Sequence, residues 1–316
     1  MTLENSAQRA HNPDPDHATL LATLLSRDRI YQGIRHFFHD RAYAEVETPL
    51  LVPCPGIDPH IDAISAEGDL YLATSPELHM KRLVGMGMPR IFQITRAFRR
   101  GEQGGLHNPE FSMLEWYHAG KDYIYLMSEV EDLVRHLVDK LDEQGIRGIT
   151  LNPPPFPRFT VDRLFEQYAG WTPSSQWDED RFFLDLVEKV EPRLCAEPAV
   201  IIQDFPAPLA SLARCKPDEP HLCERFELYM NGLEIANAFS ELTDPVEQRE
   251  RFEAAQERRK EMGKEVYPID QKFLLLLEQG LLPPCCGIAL GLDRLAMALL
   301  GARGIEDVMA FPAARL

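Results

Sequence analysis

The chain has 316 residues, 45% hydrophobic and 26% charged, which makes it globular and long enough for one large core or two modest ones. Its 33 Lys and Arg against 50 Asp and Glu leave a formal net charge of −17, a field that repels nucleic acid unless a local basic patch overrides it. No apolar run approaches the roughly 18 residues of a membrane span, and the polar start lacks the order of a secretory signal. Six cysteines show neither a CxxC pair nor a disulfide-framework spacing. A cytoplasmic protein without a membrane is expected.

In chain order, residues 1–16 are polar and proline-bearing and predict a disordered N-terminal arm. Residues 17–38 carry Leu20, Leu21, Leu24, Leu25, Ile30, Ile34, Phe37 and Phe38 at mostly helical spacing, one or two helices. Residues 44–48 read as a short strand stopped by Pro49. The glycine and proline density of residues 53–69 predicts a loop, one able to move over a site. A strand follows at 71–74, and Ser75-Pro76-Glu77 opens a helix with Pro and Glu in its first turn, where both are favoured. Glu77 also fits a plain helix-start charge.

Residues 91–98 and 110–117 are apolar runs joined by a loop rich in Gly and Arg, two strands and a turn. Strand alternation then projects acids and aromatics, Glu115 and Tyr117 among them, as a floor for a small charged ligand. A surface hairpin with charged edges accounts for the same pattern. Residues 123–141 form an amphipathic helix, and the run NPPPFP at 152–157 breaks the chain. The stretch 160–223 is less patterned, with helices near 161–168 and 178–190 and a strand at 199–204, and we read about 152–223 as an insertion decorating a sheet. Cys215, His221 and Cys223 could ligate a metal, but a full zinc set is missing.

Two further stretches carry chemistry. In residues 224–242, Phe226, Leu228 and Met230 alternate with Glu227 and Tyr229, Asn231-Gly232 makes a hairpin turn, and residues 233–239 run back. Glu227 and Glu234 can approach across that pair, and two carboxylates so close call for a cation, for which Mg²⁺ is suited. Pairing of each with Lys or Arg is the plainer alternative. Asp244-Pro245 caps a charged helix to Met262, expected to present a solvated face. In residues 285–301, an apolar strand with Gly287, Ala289 and Gly291 runs into a helix opened by Asp293-Arg294, a place for an anion against small residues. Close packing of a buried strand on a helix explains the glycines equally well.

The order and content of these stretches resemble the catalytic core of the class II aminoacyl-tRNA synthetases, specifically the lysyl branch, over roughly residues 20–316. Val46-Glu47-Thr48-Pro49 resembles the first motif, whose proline lies at a dimer interface. Phe98-Arg99, His107-Asn108-Pro109-Glu110-Phe111 and Met113-Leu114-Glu115-Trp116-Tyr117 resemble the second, and Gly291-Leu292-Asp293-Arg294 the third. Residues 75–83 (SPELHMKRL) and 237–242 (NAFSEL) match lysyl-branch signatures. With the core beginning almost at once and no anticodon-binding barrel ahead of it, the chain most resembles the elongation factor P lysine ligases. Ser75 and Ala289 stand where that family differs from the tRNA enzymes.

The resemblance implies an α+β fold, an antiparallel sheet flanked by helices, in one catalytic domain over 17–316. It implies a homodimer that uses ATP and Mg²⁺ to activate (R)-β-lysine or lysine and pass it to a lysine of elongation factor P, with no tRNA charging. Arg99 is then expected at the α-phosphate, Arg294 at the γ-phosphate, Glu227 and Glu234 on Mg²⁺, and Phe111 stacked on adenine near His107 and Asn108. Glu77, Glu115 and Glu241, with Tyr117, Asn237, Phe239, Ser75 and Ala289, are expected to form an amino-acid pocket of excess negative charge, suited to two ammonium groups. One departure stands out: the family pattern Phe-Arg-Asn-Glu reads Phe98-Arg99-Arg100-Gly101-Glu102 here, so either Glu102 substitutes for the adenine-reading Glu after a loop shift, or ATP selectivity weakens and a catalytically silent paralogue gains weight. The alternatives are a truncated lysyl-tRNA synthetase-like enzyme, an asparagine synthetase-like enzyme, and a catalytically silent paralogue that binds partners.

Overall fold

The computed structural model describes residues 17–56, 58–146 and 148–316; the expected disordered arm, residues 1–16, lies outside them. A single helix, α1 (His17–Asp40), opens the described chain, with Ile30, Ile34, Phe37 and Phe38 on its buried side. Short strands β1 (Ala44–Glu45), β2 (Leu51–Val52), β3 (Ser65–Ala66) and β4 (Leu70–Leu72) lead to α2 (Glu77–Gly85). The long hairpin β5 (Arg90–Phe98) and β6 (Glu110–Ala119) precedes α3 (Tyr123–Asp142), whose start is capped by Asp122 accepting from the Tyr125 N–H. Then come β7 (Arg158–Thr160), α4 (Val161–Ala169), α5 (Glu179–Asp185), α6 (Glu191–Leu194) and β8 (Ala199–Pro206). A second hairpin, β9 (Leu222–Met230) and β10 (Leu233–Ser240), turns at Asn231 and Gly232 with φ of 50° and 77°, the left-handed values that this pair of residues tolerates. The helices α7 (Pro245–Glu261) and α8 (Gln271–Glu278), the strand β11 (Cys285–Gly291) and α9 (Leu292–Leu300) complete the core.

One eight-stranded sheet, in the order β1-β5-β6-β11-β10-β9-β8-β7, organises the molecule, with a three-stranded sheet β2-β4-β3 beside it. The six inner strands pair antiparallel; only the outermost pairs, β1 with β5 and β7 with β8, are parallel. This is the α+β class expected. Because side chains alternate along a strand, Leu114, Trp116, Ile288, Leu290, Ala236, Ala238, Phe226 and Leu228 fall on one face, where they form the main core with α1, α3 and α9. Burial of each large side chain there contributes about 1.5–3 kcal/mol. The opposite face carries the polar residues singled out above. It is walled at one end by α2, α7 and α8 around Tyr117 and Phe273, and at the other by the apolar cluster of residues 161–229.

Several local expectations are corrected. The strand at 44–48 shrinks to β1, since Val46 already bonds back to the Phe92 carbonyl from outside the ladder and Pro49 ends any continuation. The strand at 71–74 ends at Leu72, and the Thr74 hydroxyl donates to the Pro55 carbonyl at 2.5 Å instead. The helix near 178–190 is α5 followed by a π turn, Leu186–Val190, before α6 restarts with Pro192, which has no N–H to donate, in its first turn. The 53–69 loop is tied down: Arg259 of α7 donates to the carbonyls of Asp58 and Ile61, each at 2.9 Å, and to the Asp62 carboxylate at 2.7 Å. Helix α7 presents the solvated face expected of it, and buries Gln248, Phe252 and the wholly buried Arg259 on its other side. The 152–223 segment adds β7 and β8 to one edge of the sheet and packs its own apolar cluster, with Phe165, Trp171 and Phe182, against it.

Candidate active site

Strand register turns scattered sequence positions into rows. Gln93, Glu115, Ala289, Asn237 and Glu227 lie side by side across β5, β6, β11, β10 and β9. The neighbouring row, two residues along each strand and therefore on the same face, is Ile91, Tyr117, Gly287, Phe239 and Arg225. The sheet thus brings Glu115, Tyr117, Asn237, Phe239, Ala289 and Glu227 onto one floor, although 173 residues lie between Glu115 and Ala289 in the chain. Gly287 is essential to this floor, because a Cβ there would collide with the Tyr117 ring and with Glu241 Oε1.

At the end of the floor next to α2, the acids gather. Both Glu115 oxygens accept hydrogen bonds from neutral donors, Ser75 Oγ at 2.6 Å and the Tyr117 hydroxyl at 2.9 Å. Ser75 Oγ also accepts from the Glu77 N–H at 3.0 Å, which fixes the start of α2. Glu77 and Glu241 converge on a residue that the sequence reading missed: Lys81 Nζ is 2.6 Å from Glu77 and 2.5 Å from Glu241, and 1% of its side chain is exposed. Three acids against this one ammonium keep the excess of negative charge that was expected, reduced by one; the signal available for Lys81 was its i, i+4 spacing from Glu77 on one helix. Burial and the charge of Glu77 push Glu115 up to about 8. Burial likewise pushes Glu241 up to about 8 against the pull of Lys81, because one ammonium shared by two carboxylates does not compensate both.

The other end of the floor is rich in arginine. The Arg99 guanidinium lies 5.1 Å from the centre of the Phe111 ring and 3.7 Å from Glu102, and its buried Nε has no hydrogen-bond partner. Such an orphaned cationic donor fits an anionic ligand. Gly101 has a φ of +83°, a left-handed backbone that disfavours the Glu of the related pattern, and the next residue, Glu102, is the acid that lies beside Arg99. Arg294, in the first turn of α9, donates to the Glu234 carbonyl at 3.0 Å and lies 2.5 Å from His107 Nε2. Burial and Arg294 hold His107 below its ordinary pKa, so the neutral ring accepts that contact. Asn108 is not directed to the floor: its amide donates to the Glu110 carbonyl at 2.6 Å and accepts from the Ala313 N–H at 2.8 Å, tying the C-terminal segment to the loop.

Between the two ends sits the carboxylate pair. Glu227 is buried and pushed up to about 7 by burial and by the charge of Glu234, a repulsion that a divalent cation would relieve. The plainer pairing also exists, since Arg225 donates to Glu227 at 2.6 Å and Arg294 lies 3.7 Å from Glu234. Arg225 was missed too, although its place two residues before Glu227 puts both on one face; it also donates to Asn237 Oδ1 at 3.0 Å and so leaves that amide's NH₂ free to donate. The Tyr229 hydroxyl lies 3.0 Å from Glu227 and 3.3 Å from Glu191, bringing a third acid from the 152–223 segment close by. Among the described residues no group of three or more His, Cys, Asp or Glu is arranged to hold a metal, which removes the Cys215, His221 and Cys223 set; two carboxylates suffice for Mg²⁺ completed by water and phosphate oxygens.

Comparison with known proteins agrees with this geometry. Residues 14–315 match the family model of class II tRNA synthetases (D, K and N). The chain is 40% identical to the elongation factor P–(R)-β-lysine ligase of Mannheimia succiniciproducens, over 92% of this chain and 95% of the relative. It is likewise 40% identical to the proteins of that name from Proteus mirabilis, over 93% and 96%, and Salmonella gallinarum, over 92% and 95%. The chain therefore belongs to the class II tRNA synthetase family of the D, K and N type, together with these ligases.

Proposed function

We propose that this protein is an ATP-dependent ligase that activates (R)-β-lysine as an aminoacyl-adenylate and transfers it to a lysine side chain of elongation factor P. The observation that carries this reading is the polarity of one continuous floor. Buried acids stand at the end where a diammonium amino acid must lie, arginines at the end where a nucleotide must lie, and the carboxylate pair between them. An aspartate or asparagine substrate would require cationic side chains in place of Glu77, Glu115 and Glu241.

The substrate carboxylate is already ionised at neutral pH and needs no base. Its oxygen attacks the α-phosphorus, and the bond to the bridging oxygen of pyrophosphate breaks. Arg99 serves the α-phosphate and Arg294 the γ-phosphate, in fixed positions that cost no reorganisation as charge moves onto the leaving group. Phe111 offers its face to adenine, and Glu102 stands in for the usual adenine-reading Glu. Glu227 and Glu234 would hold Mg²⁺, which supplies charge relief among the phosphates. The acceptor amine then attacks the carbonyl, forming the amide and releasing AMP and one proton.

The finer parts of the reading have their own support. The net charge of −17 opposes tRNA as acceptor. Leu50 and Leu51, exposed beside the first motif, favour a homodimer across that face. No helix among the described residues is long and apolar enough to cross a membrane. ATP–pyrophosphate exchange with (R)-β-lysine and lysine, followed by transfer to elongation factor P and to tRNA, tests the proposal. Exchange with neither amino acid would overturn it.

A further inference from the structure

Counting charges in the acid pocket gives more than a preference for cations. Glu77, Glu115 and Glu241 supply three carboxylates, and Lys81 supplies one ammonium, sealed at 1% exposure over the rings of Phe239 and Phe273 at 5.2 and 5.9 Å. Glu115 has only neutral donors, and neither Glu241 oxygen has a well-formed hydrogen bond despite the 2.5 Å approach of Lys81. Farther along the floor, Arg225 is engaged by Glu227 and is not available to the pocket. With all three acids ionised, as bound ammonium groups would hold them, the pocket is two positive charges short; without ligand, protons on Glu115 and Glu241 make up the difference.

Resting on the function proposed above, we infer that Lys81 is a resident ammonium that sets this shortfall at two, and so determines specificity for an amino acid bearing two ammonium groups over one bearing a single group. A buried charge left without its partner is far more costly than a matched set. With lysine or its β isomer bound, three ammonium groups face three carboxylates. With a neutral residue at position 81, the same substrate leaves one carboxylate unmatched. An amino acid with a neutral side chain leaves one unmatched in the native pocket.

The experiment compares wild type, Lys81→Met, Glu241→Gln and the double variant by ATP–pyrophosphate exchange, with melting temperatures alongside. Lys81→Met, which keeps the length of the side chain but not its charge, should raise the amino-acid KM by about 100-fold or more and leave the ATP KM within about twofold. The double variant, with two carboxylates and no lysine, should bind the amino acid more tightly than Lys81→Met alone. If Lys81→Met fails to fold while the double variant folds and activates β-lysine, the charge account is supported. An amino-acid KM for Lys81→Met within about threefold of wild type, losses that simply multiply in the double variant, or failure of both to fold would overturn it. A wild type active on neither lysine isomer overturns the function itself, and this inference with it; a wild type active on them with Lys81→Met unaffected overturns the inference alone.

Discussion

At the scale of single residues, the account turns on carboxylates that burial holds partly protonated. A carboxyl raised in the folded protein keeps its proton where the unfolded chain has lost it, so stability falls as pH rises towards the folded value. Glu115 and Glu241, near 8, and Glu227, near 7, all act in this sense. His79, His107 and His136, held below their ordinary 6.5 by burial, act oppositely but only below 6.5. The ligand-free protein should therefore lose melting temperature between pH 6.5 and 8, and (R)-β-lysine should flatten that slope. Its binding should release protons at pH 7, read by calorimetry in buffers of different ionisation enthalpy; proton uptake would contradict the scheme.

Two substitutions probe neighbouring positions. Glu234→Gln keeps shape and removes one charge from the carboxylate pair, so exchange should fall by about 100-fold or more with the fold intact. Rates within a fewfold of wild type would make Glu234 a structural partner of Arg294. Ala289, between Glu115 and Asn237 in the row, is a methyl-sized wall, and Ala289→Gly should improve lysine relative to β-lysine by roughly 10-fold, since one such group is worth about 1–3 kcal/mol. A shift of the ratio the other way would remove Ala289 from isomer selection.

At the scale of elements, β11 is the central brace of the site. Gly287 lets Tyr117 and Glu241 close over the backbone, so Gly287→Ala should destabilise the fold by about 1–3 kcal/mol and weaken amino-acid binding more than ATP binding, checked by denaturation and exchange kinetics. The sequence made both hairpins, the α2 start and the strand-to-helix step into α9 legible, because alternation, Asn-Gly and a Pro-Glu first turn are local signals. It could not show Lys81 closing on Glu241, which joins positions far apart in the chain and requires the register of β10. Arg259 was hidden for the same reason. Nothing in seventeen residues of charged helix marks Arg259 as turned inward until the loop carbonyls that it satisfies are placed beside it. The π turn before Pro192 and the shortened β1 and β4 were missed at element ends, where neighbouring contacts outweigh propensity.

At the scale of the whole molecule, one sheet face builds the core and the other the site, so fold and chemistry share the same alternation of residues. The net charge of −17 surrounds a floor on which Arg225 is paired with Glu227, while Arg99 and Arg294 stand together at the end away from the acids. That distribution suits a small cationic amino acid and ATP better than an extended polyanion. The measurement that tests the central claim most directly follows radiolabelled (R)-β-lysine through the purified wild-type enzyme with ATP, offered elongation factor P and lysine tRNA in parallel. The account predicts label on a lysine of elongation factor P, AMP and pyrophosphate in equal amounts, and negligible label on tRNA; efficient charging of the tRNA, or no label on the protein despite adenylate formation, would contradict it.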